Sequence, residues 1–254
     1  MAYLVSKLGP QSGFHPVSTS TIHLSPQSTF ATYESCSLHL YYTLPPLLFV
    51  DTHELAQRNA SYTFRHWGNR DLEKPVHALP DEISELLIDA TVKLLELDGP
   101  GGGDDEVQDS GRAIHVEVPM HLRYGAPKAT SALGEGENQA LYEELHVDWP
   151  KAFLWCPSSS HSKQNAQSLP EHIFSALPNS VSDNAIIPIP PHANFSSETS
   201  TITTLLLPIG NAKDLEVVEP LTALTILVCF LWLLQVSWRT ATRLNANVGR
   251  PKTE

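Results

Sequence analysis

The side chains with the chemistry to act are few and widely separated in these 254 residues. Cys36-x-x-His39 is half of a zinc pattern, because a thiolate and an imidazole at that spacing can share one tetrahedral ion, but the second half is missing. Gly101-Gly102-Gly103-Asp104-Asp105-Glu106 lacks the Lys-Ser/Thr that a phosphate-cradling loop places at a helix start. It also lacks the spaced oxygen ligands and terminal Glu of an EF-hand, and its acids are not in the Asp-x-Asp order of sugar-nucleotide enzymes. No Gly-x-Ser-x-Gly elbow, His-Glu-x-x-His pair or dinucleotide fingerprint is present. The 12 histidines are scattered, and His39, His66, His115 and His121 are read as strand residues with satisfied ring nitrogens. These observations predict no catalytic residue, no cofactor and no metal.

Two other residue types carry covalent chemistry. Asn59-Ala60-Ser61 and Asn194-Phe195-Ser196 are acceptor sequons for N-glycosylation. Cys229 lies in an apolar run, which leaves Cys36 and Cys156 as either one disulfide or two separate buried thiols.

The apolar run, Leu221–Trp238, is the element to which the rest must be fitted. It has no charged residue and, at ~1.5 Å per residue, forms a helix of about 27 Å, close to the thickness of a thin bilayer core. Thr222, Thr225, Gln235 and Ser237 are its polar side chains, and each can bond a backbone carbonyl or a neighbouring helix. Pro220 is expected in the first helical turn, where proline is tolerated. Residues 1–238 carry 12 Lys and Arg against 27 Asp and Glu, whereas residues 239–254 carry four bases (Arg239, Arg243, Arg250, Lys252) against Glu254. The acidic bulk excludes nucleic acid as a partner. The basic tail predicts a cytoplasmic C-terminus, with nearly all of the chain on the luminal side. Residues 1–30 show no apolar signal-peptide core, so entry into the lumen needs another explanation, or the domain is cytosolic and tail-anchored.

Upstream, short alternating runs are separated by Pro, Gly and Ser. Ser37–Leu44, Ser61–Trp67 and Ala113–Val118 read as strands, Thr21–Leu24 as a first strand, and residues 1–13 as a loose segment. Residues 81–97 fit helical spacing and buried strands about equally. Flexible loops are expected near 98–112 and 157–172. The result is a mainly β, β-sandwich-like luminal domain over 14–212, a single transmembrane helix over 219–238 and a short tail over 239–254.

Four ordered stretches carry a resemblance: Gly13-Phe14-His15-Pro16, then Leu44-Pro45 through Phe49-Val50-Asp51, then Asp71-Leu72-Glu73-Lys74-Pro75, then Pro119-x-His121-x-Arg123-Tyr124. With the aromatic Cys156 segment and the C-terminal span, they make the chain resemble the PIG-X family, whose fungal members include the Pbn proteins. The resemblance implies a non-catalytic accessory subunit of glycosylphosphatidylinositol (GPI) mannosyltransferase I. Such a subunit sits in the endoplasmic-reticulum membrane and stabilises a polytopic PIG-M-type catalytic subunit, which transfers the first mannose from dolichol-phosphate-mannose. The competing readings are a generic single-span endomembrane or cell-surface binding module and a tail-anchored cytosolic adaptor. If residues 121–124 continue as a strand, Leu122 and Tyr124 enter the core. His121 and Arg123 then face a partner or an internal carboxylate such as Asp71 or Glu73.

Overall fold

The computed structural model describes residues 2–24, 36–71, 74, 78, 81–91, 112–128, 142–156, 169–177, 185–192 and 201–248. It divides into a β unit, residues 1–126 with 142–208, and a helical unit, residues 127–141 with 209–254.

Three antiparallel strands, β1 (Tyr3–Gly9), β2 (Val17–Leu24) and β7 (Arg112–Pro119), form one sheet in the order β1-β2-β7. Its N-terminal edge corrects the expectation that residues 1–13 are loose. Leu4, Ser6 and Leu8 alternate inward against β2 and are buried, which is enough to hold a seven-residue strand in place. Five strands form the second sheet, in the order β11 (Ala185–Ile189), β10 (Lys151–Cys156), β3 (Ser37–Leu44), β6 (Ser84–Ala90) and β5 (Tyr62–Trp67). The sheets meet through Tyr42 of β3, whose hydroxyl lies 3.5 Å from Ser18 Oγ and 3.3 Å from Ser20 Oγ of β2. Two smaller pairs complete the unit: β4 (Leu48–Phe49) with β8 (His121–Leu122), and β9 (Tyr142–Asp148) with β12 (Ile202–Pro208).

Strand β3, expected from its alternation, is nonetheless buried from Leu38 to Tyr42 without a break. The cause is a cover on each face. Leu38, Leu40 and Leu44 share the Tyr42 face, which meets the first sheet. On the other face Tyr41, Leu87, Phe153, Trp155 and Ile186 pack with Ile173 and Leu177, in and just after the short helix α2 (Glu171–Ala176). The ambiguous 81–97 stretch resolves for the same reason. Ser84–Ala90 is a central strand buried on both faces, and residues beyond Thr91 in that stretch lie outside the description. The expected loops also fall mostly outside it, except that Arg112 begins β7, Leu169 and Pro170 lead into α2, and Glu171 and His172 begin it.

A disulfide joins Cys36, just before β3, to Cys156 at the end of β10, with S–S 2.04 Å and Cα–Cα 4.2 Å. The antiparallel register pairs Trp155 with Ser37, so one further step brings the two cysteines opposite each other. Strand β5 lies at the sheet edge. Its Tyr62 N–H donates to Arg58 O (3.3 Å), and Arg70 Nη2 donates to His66 O (2.8 Å). Gly68 ends the strand at φ +113°, and a Cβ there would stand 2.6 Å from Ser84 Oγ, so only glycine fits this turn.

Two strand histidines are buried, but their ring nitrogens are not all satisfied as expected. Both nitrogens of His66 and Nδ1 of His39 lack a hydrogen-bond partner among the described residues. Burial, then Arg65, pushes His39 down to about 4, and burial, then Arg70, moves His66 in the same direction. In the unfolded chain an imidazole gains its proton near pH 6.5, whereas folded His39 gains one only near 4. Stability is therefore intact above pH 6.5 and is lost as pH falls from 6.5 to about 4, by up to roughly 3 kcal/mol from His39. The urea midpoint of the detergent-solubilised chain should fall over that window, and His39→Gln should flatten the fall. Equal slopes for both proteins would remove His39 as the cause.

In the helical unit, α3 (Ala212–Val248) is one continuous helix of 37 residues, about 55 Å long. Asn211 starts it, its Oδ1 accepting from Lys213 N–H at 3.1 Å. The helix extends beyond 219–238 at both ends, so Pro220 is interior rather than in the first turn. The apolar run it contains is long enough to cross a membrane.

Candidate functional site

The first and second sequence stretches flank β8, which lies in the fourth, and Asp71 of the third meets Arg123 just after it. Gly13, at φ +109°, redirects the chain so that Phe14–Pro16 runs beside it: Leu122 N–H donates to Phe14 O and Met120 N–H to Pro16 O, both at 2.9 Å. On the opposite side β4 pairs Leu48 with Leu122 and Phe49 with His121, and Arg123 N–H donates to Leu47 O at 2.8 Å. Pro119 ends β7 opposite Val17, where a residue without an N–H can close a ladder.

His121 is held from three directions. Its ring stacks on Phe49 at 5.4 Å, its Nε2 lies 2.7 Å from Glu54 Oε2, and its Nδ1 lies 3.0 Å from Nδ1 of His15. Glu54 belongs to α1 (Thr52–Ala56), whose N-cap Asp51 accepts from His53 N–H at 2.8 Å. Arg123 is buried, with its guanidinium 4.4 Å from the Phe49 ring centroid and its Nη2 donating to Asp71 O at 2.9 Å. Burial lowers the Arg123 pKa and the Asp71 carboxylate opposes that shift. Tyr124 is 73% exposed and packs on Phe14 with 4.6 Å between centroids.

Leu122 is buried and His121 meets a carboxylate as expected, but Arg123 and Tyr124 exchange their expected sides. The strand lasts only two residues, so alternation stops at Leu122, and Arg123 turns inward while Tyr124 turns out. Nor does Arg123 hydrogen-bond the Asp71 carboxylate: Asp71 Oδ2 pairs with Lys74 Nζ at 2.5 Å, and the arginine takes the backbone carbonyl. Glu73 lies outside the described residues. Glu54 is the member of the cluster that the sequence did not disclose, because a five-residue helix is too short for a periodic signal.

Glu54, His121 and His15 form a carboxylate–imidazole–imidazole chain that ends on an exposed ring, not on a nucleophile. A second array has the order of a serine-hydrolase triad, with Ser37 Oγ 2.7 Å from His39 Nε2 and Asp89 Oδ1 3.9 Å from His39 Nδ1. The longer distance is not a hydrogen bond, and an imidazole held near 4 is a poor base at neutral pH. This array is a polar packing unit around one buried imidazole. Cys36 is in the disulfide, which removes it from the Cys-x-x-His pattern, and no group of three His, Cys, Asp or Glu among the described residues is placed to hold an ion. A cavity of about 490 Å³ opens elsewhere, lined by Leu4, Tyr41, Asp148, Phe153, Ile186 and Ile189 among others. The Tyr41 hydroxyl is engaged by Glu85 at 2.5 Å, and burial raises its pKa, so the recess offers shape more than acid–base chemistry.

Asn59 lies on the exposed turn between α1 and β5, and Asn194 is outside the described residues. The best-defined feature is therefore a cluster that locks four chain segments together and presents Phe14, His15 and Tyr124 at its surface.

Known proteins match the same span. The family model described as PIG-X / PBN1 matches residues 11–238. Protein pbn1 of Emericella nidulans is 24% identical over 267 residues, covering 96% of this chain and 44% of the relative. Protein pbn1 of Neurospora crassa is 26% identical over 230 residues, covering 87% and 40%. Protein pbn1 of Schizosaccharomyces pombe is 27% identical over 128 residues, covering 48% and 34%. The chain thus spans less than half the length of these relatives. The model match runs from just before the Gly13 turn to Trp238 at the end of the apolar run, and on that basis the chain belongs to the PIG-X / PBN1 family.

Proposed function

We propose that the chain works in GPI-anchor biosynthesis as a non-catalytic subunit that stabilises the PIG-M-type catalytic subunit of GPI mannosyltransferase I. The observation that carries this reading is the convergence, in a member of this family, of three motif stretches and Asp71 of a fourth on one packed cluster. Such a cluster is equipped for binding. A partner that binds only the folded enzyme raises its folded fraction by mass action, without touching the reaction. Co-purification in mild detergent should bring down a multi-span protein, and depleting the chain should lower that protein's abundance. Unchanged abundance and an empty pull-down would favour a generic binding module.

The proposed setting is the endoplasmic-reticulum membrane, with the β unit luminal, residues 219–238 spanning and residues 239–254 cytoplasmic. Arg239 and Arg243, directly after the apolar run, support that orientation. So does a disulfide, which persists in an oxidising compartment. Exposed Asn59 should then carry a glycan, read as an endoglycosidase-sensitive mobility shift that Asn59→Gln abolishes. Protease accessibility of the domain in intact microsomes, with no such shift, would place it in the cytosol instead.

A further inference from the structure

His15 and His121 bring two imidazole nitrogens together, Nδ1 to Nδ1 at 3.0 Å, from positions 106 apart in sequence. Two lone pairs cannot bond each other, so a proton or a cation must sit between them. Glu54 decides what His121 offers. An ionised carboxylate only accepts, so its Oε2, 2.7 Å away, keeps the ring proton of His121 on Nε2 and leaves the Nδ1 lone pair facing His15. This is the outer half of a carboxylate–histidine–metal array, in which the carboxylate fixes the tautomer and aims the ring at an ion. In the metal-free chain a proton on His15 Nδ1 bridges the pair. A metal ion can take its place, because neutral His15 need only move that proton to Nε2, and the side chain is exposed.

The spacing suits one ion. Two nitrogens each about 2.0–2.1 Å from a tetrahedral zinc stand about 3.3 Å apart, close to the 3.0 Å here. The rings meet at 87° with their centroids 5.1 Å apart, so neither covers the other's face. Both are held before an ion arrives. His121 is stacked on Phe49, and the neighbours of His15 are tied down by Leu122 N–H to Phe14 O and Met120 N–H to Pro16 O. Ligands fixed in advance lose little freedom on binding. Imidazole favours zinc, copper or nickel over magnesium or calcium. No third His, Cys, Asp or Glu among the described residues completes the set, so water fills the other positions. The affinity is therefore expected to be roughly micromolar, short of a closed four-ligand site.

We propose that His15 and His121 hold one divalent ion of the zinc class through their Nδ1 atoms, with Glu54 orienting His121, and that the ion clamps the Gly13–Pro16 stretch onto β8. The inference is independent of the proposed function, since it concerns the cluster whatever partner it meets. Titrating ZnCl2 into the detergent-solubilised full chain should reveal one saturable site of roughly micromolar affinity, and MgCl2 should reveal none. His15→Gln should weaken zinc binding by at least about 10-fold, and Glu54→Gln by about 10- to 100-fold. His115→Gln, which removes an exposed strand histidine, should leave it unchanged. X-ray absorption at the zinc edge should count two imidazole nitrogens per ion in the wild type and one in His15→Gln. Saturating zinc should raise the melting midpoint of the wild type by about 5 °C and that of His15→Gln by less than about 1 °C. The Cys36–Cys156 bridge on a non-reducing gel checks that each variant has folded. Absence of saturable zinc binding would overturn the proposal. So would an affinity that His15→Gln leaves unchanged, which would make the binding adventitious, or an equal loss in His115→Gln.

Discussion

Changing Cys36 or Cys156 to serine should lower the stability of the β unit by about 4–5 kcal/mol, the largest single loss expected from any side chain here. The bridge closes a loop of 120 residues in sequence, and in the chain-entropy model the denatured ensemble gains the freedom that the bond removed. The native state also loses the tie between neighbouring strands β3 and β10 at the end where both leave the sheet. Each single substitution should have nearly the full effect, since either one opens the loop, and the double substitution should add little. Denaturant unfolding of the detergent-solubilised chain would measure this, with non-reducing gels confirming the bridge in the parent. Reaction of both thiols with an alkylating reagent in the native parent would sink the expectation.

Arg123→Ala should destabilise the domain by about 3 kcal/mol, through loss of the ring contact, the hydrogen bond to Asp71 O and the volume of a buried side chain. Arg123→Lys should recover less than half of this, because an ammonium cannot both lie flat on Phe49 and reach the Asp71 carbonyl. Tyr124→Ala supplies the contrast. An exposed ring removed from the surface should change stability by no more than about 0.5 kcal/mol, while any partner that uses the Phe14–Tyr124 pair should bind less well. If Arg123→Ala unfolds at the parent midpoint yet lowers partner recovery, the arginine is a contact residue after all.

The sequence disclosed long-range order unevenly, for physical reasons. An 18-residue apolar run without a charge reads as one helix over its length, so the segment that is long enough to cross a membrane was legible. Its polar flanks gave no sign that the helix runs on to a total of 37 residues. Strands such as β3 and β7 declared themselves by alternation in the sequence, whereas β6 is covered on both faces, and its apolar run fitted a helix equally well. Strand β1 was missed because seven residues with Ser6 and Lys7 among them make a weak pattern, and β2 supplies what local sequence lacks. In the motif cluster, the members were legible as ordered stretches but their geometry was not. Strands of two residues have no period, so nothing local indicated that Arg123 would turn in and Tyr124 out. The cysteine pairing was likewise undecidable from spacing, since strand register brings residues 120 apart into contact.

The edge at β5 bears on how this molecule avoids itself. Because Ser61 O accepts from Thr91 N–H, the alternation of an antiparallel ladder turns the backbone groups of Tyr62, Phe64 and His66 away from β6. An incoming strand from another chain would have to recruit those groups, yet Arg58 O holds the Tyr62 N–H and Arg70 caps the His66 carbonyl. Phe64 is the one residue of the three with both groups open among the described residues, too short a template for strand addition. Arg70 thereby shortens the open edge by one carbonyl. Its replacement by alanine would lengthen the open edge, and the consequence would appear as clumping that grows with protein concentration while the melting of the dilute protein hardly moves.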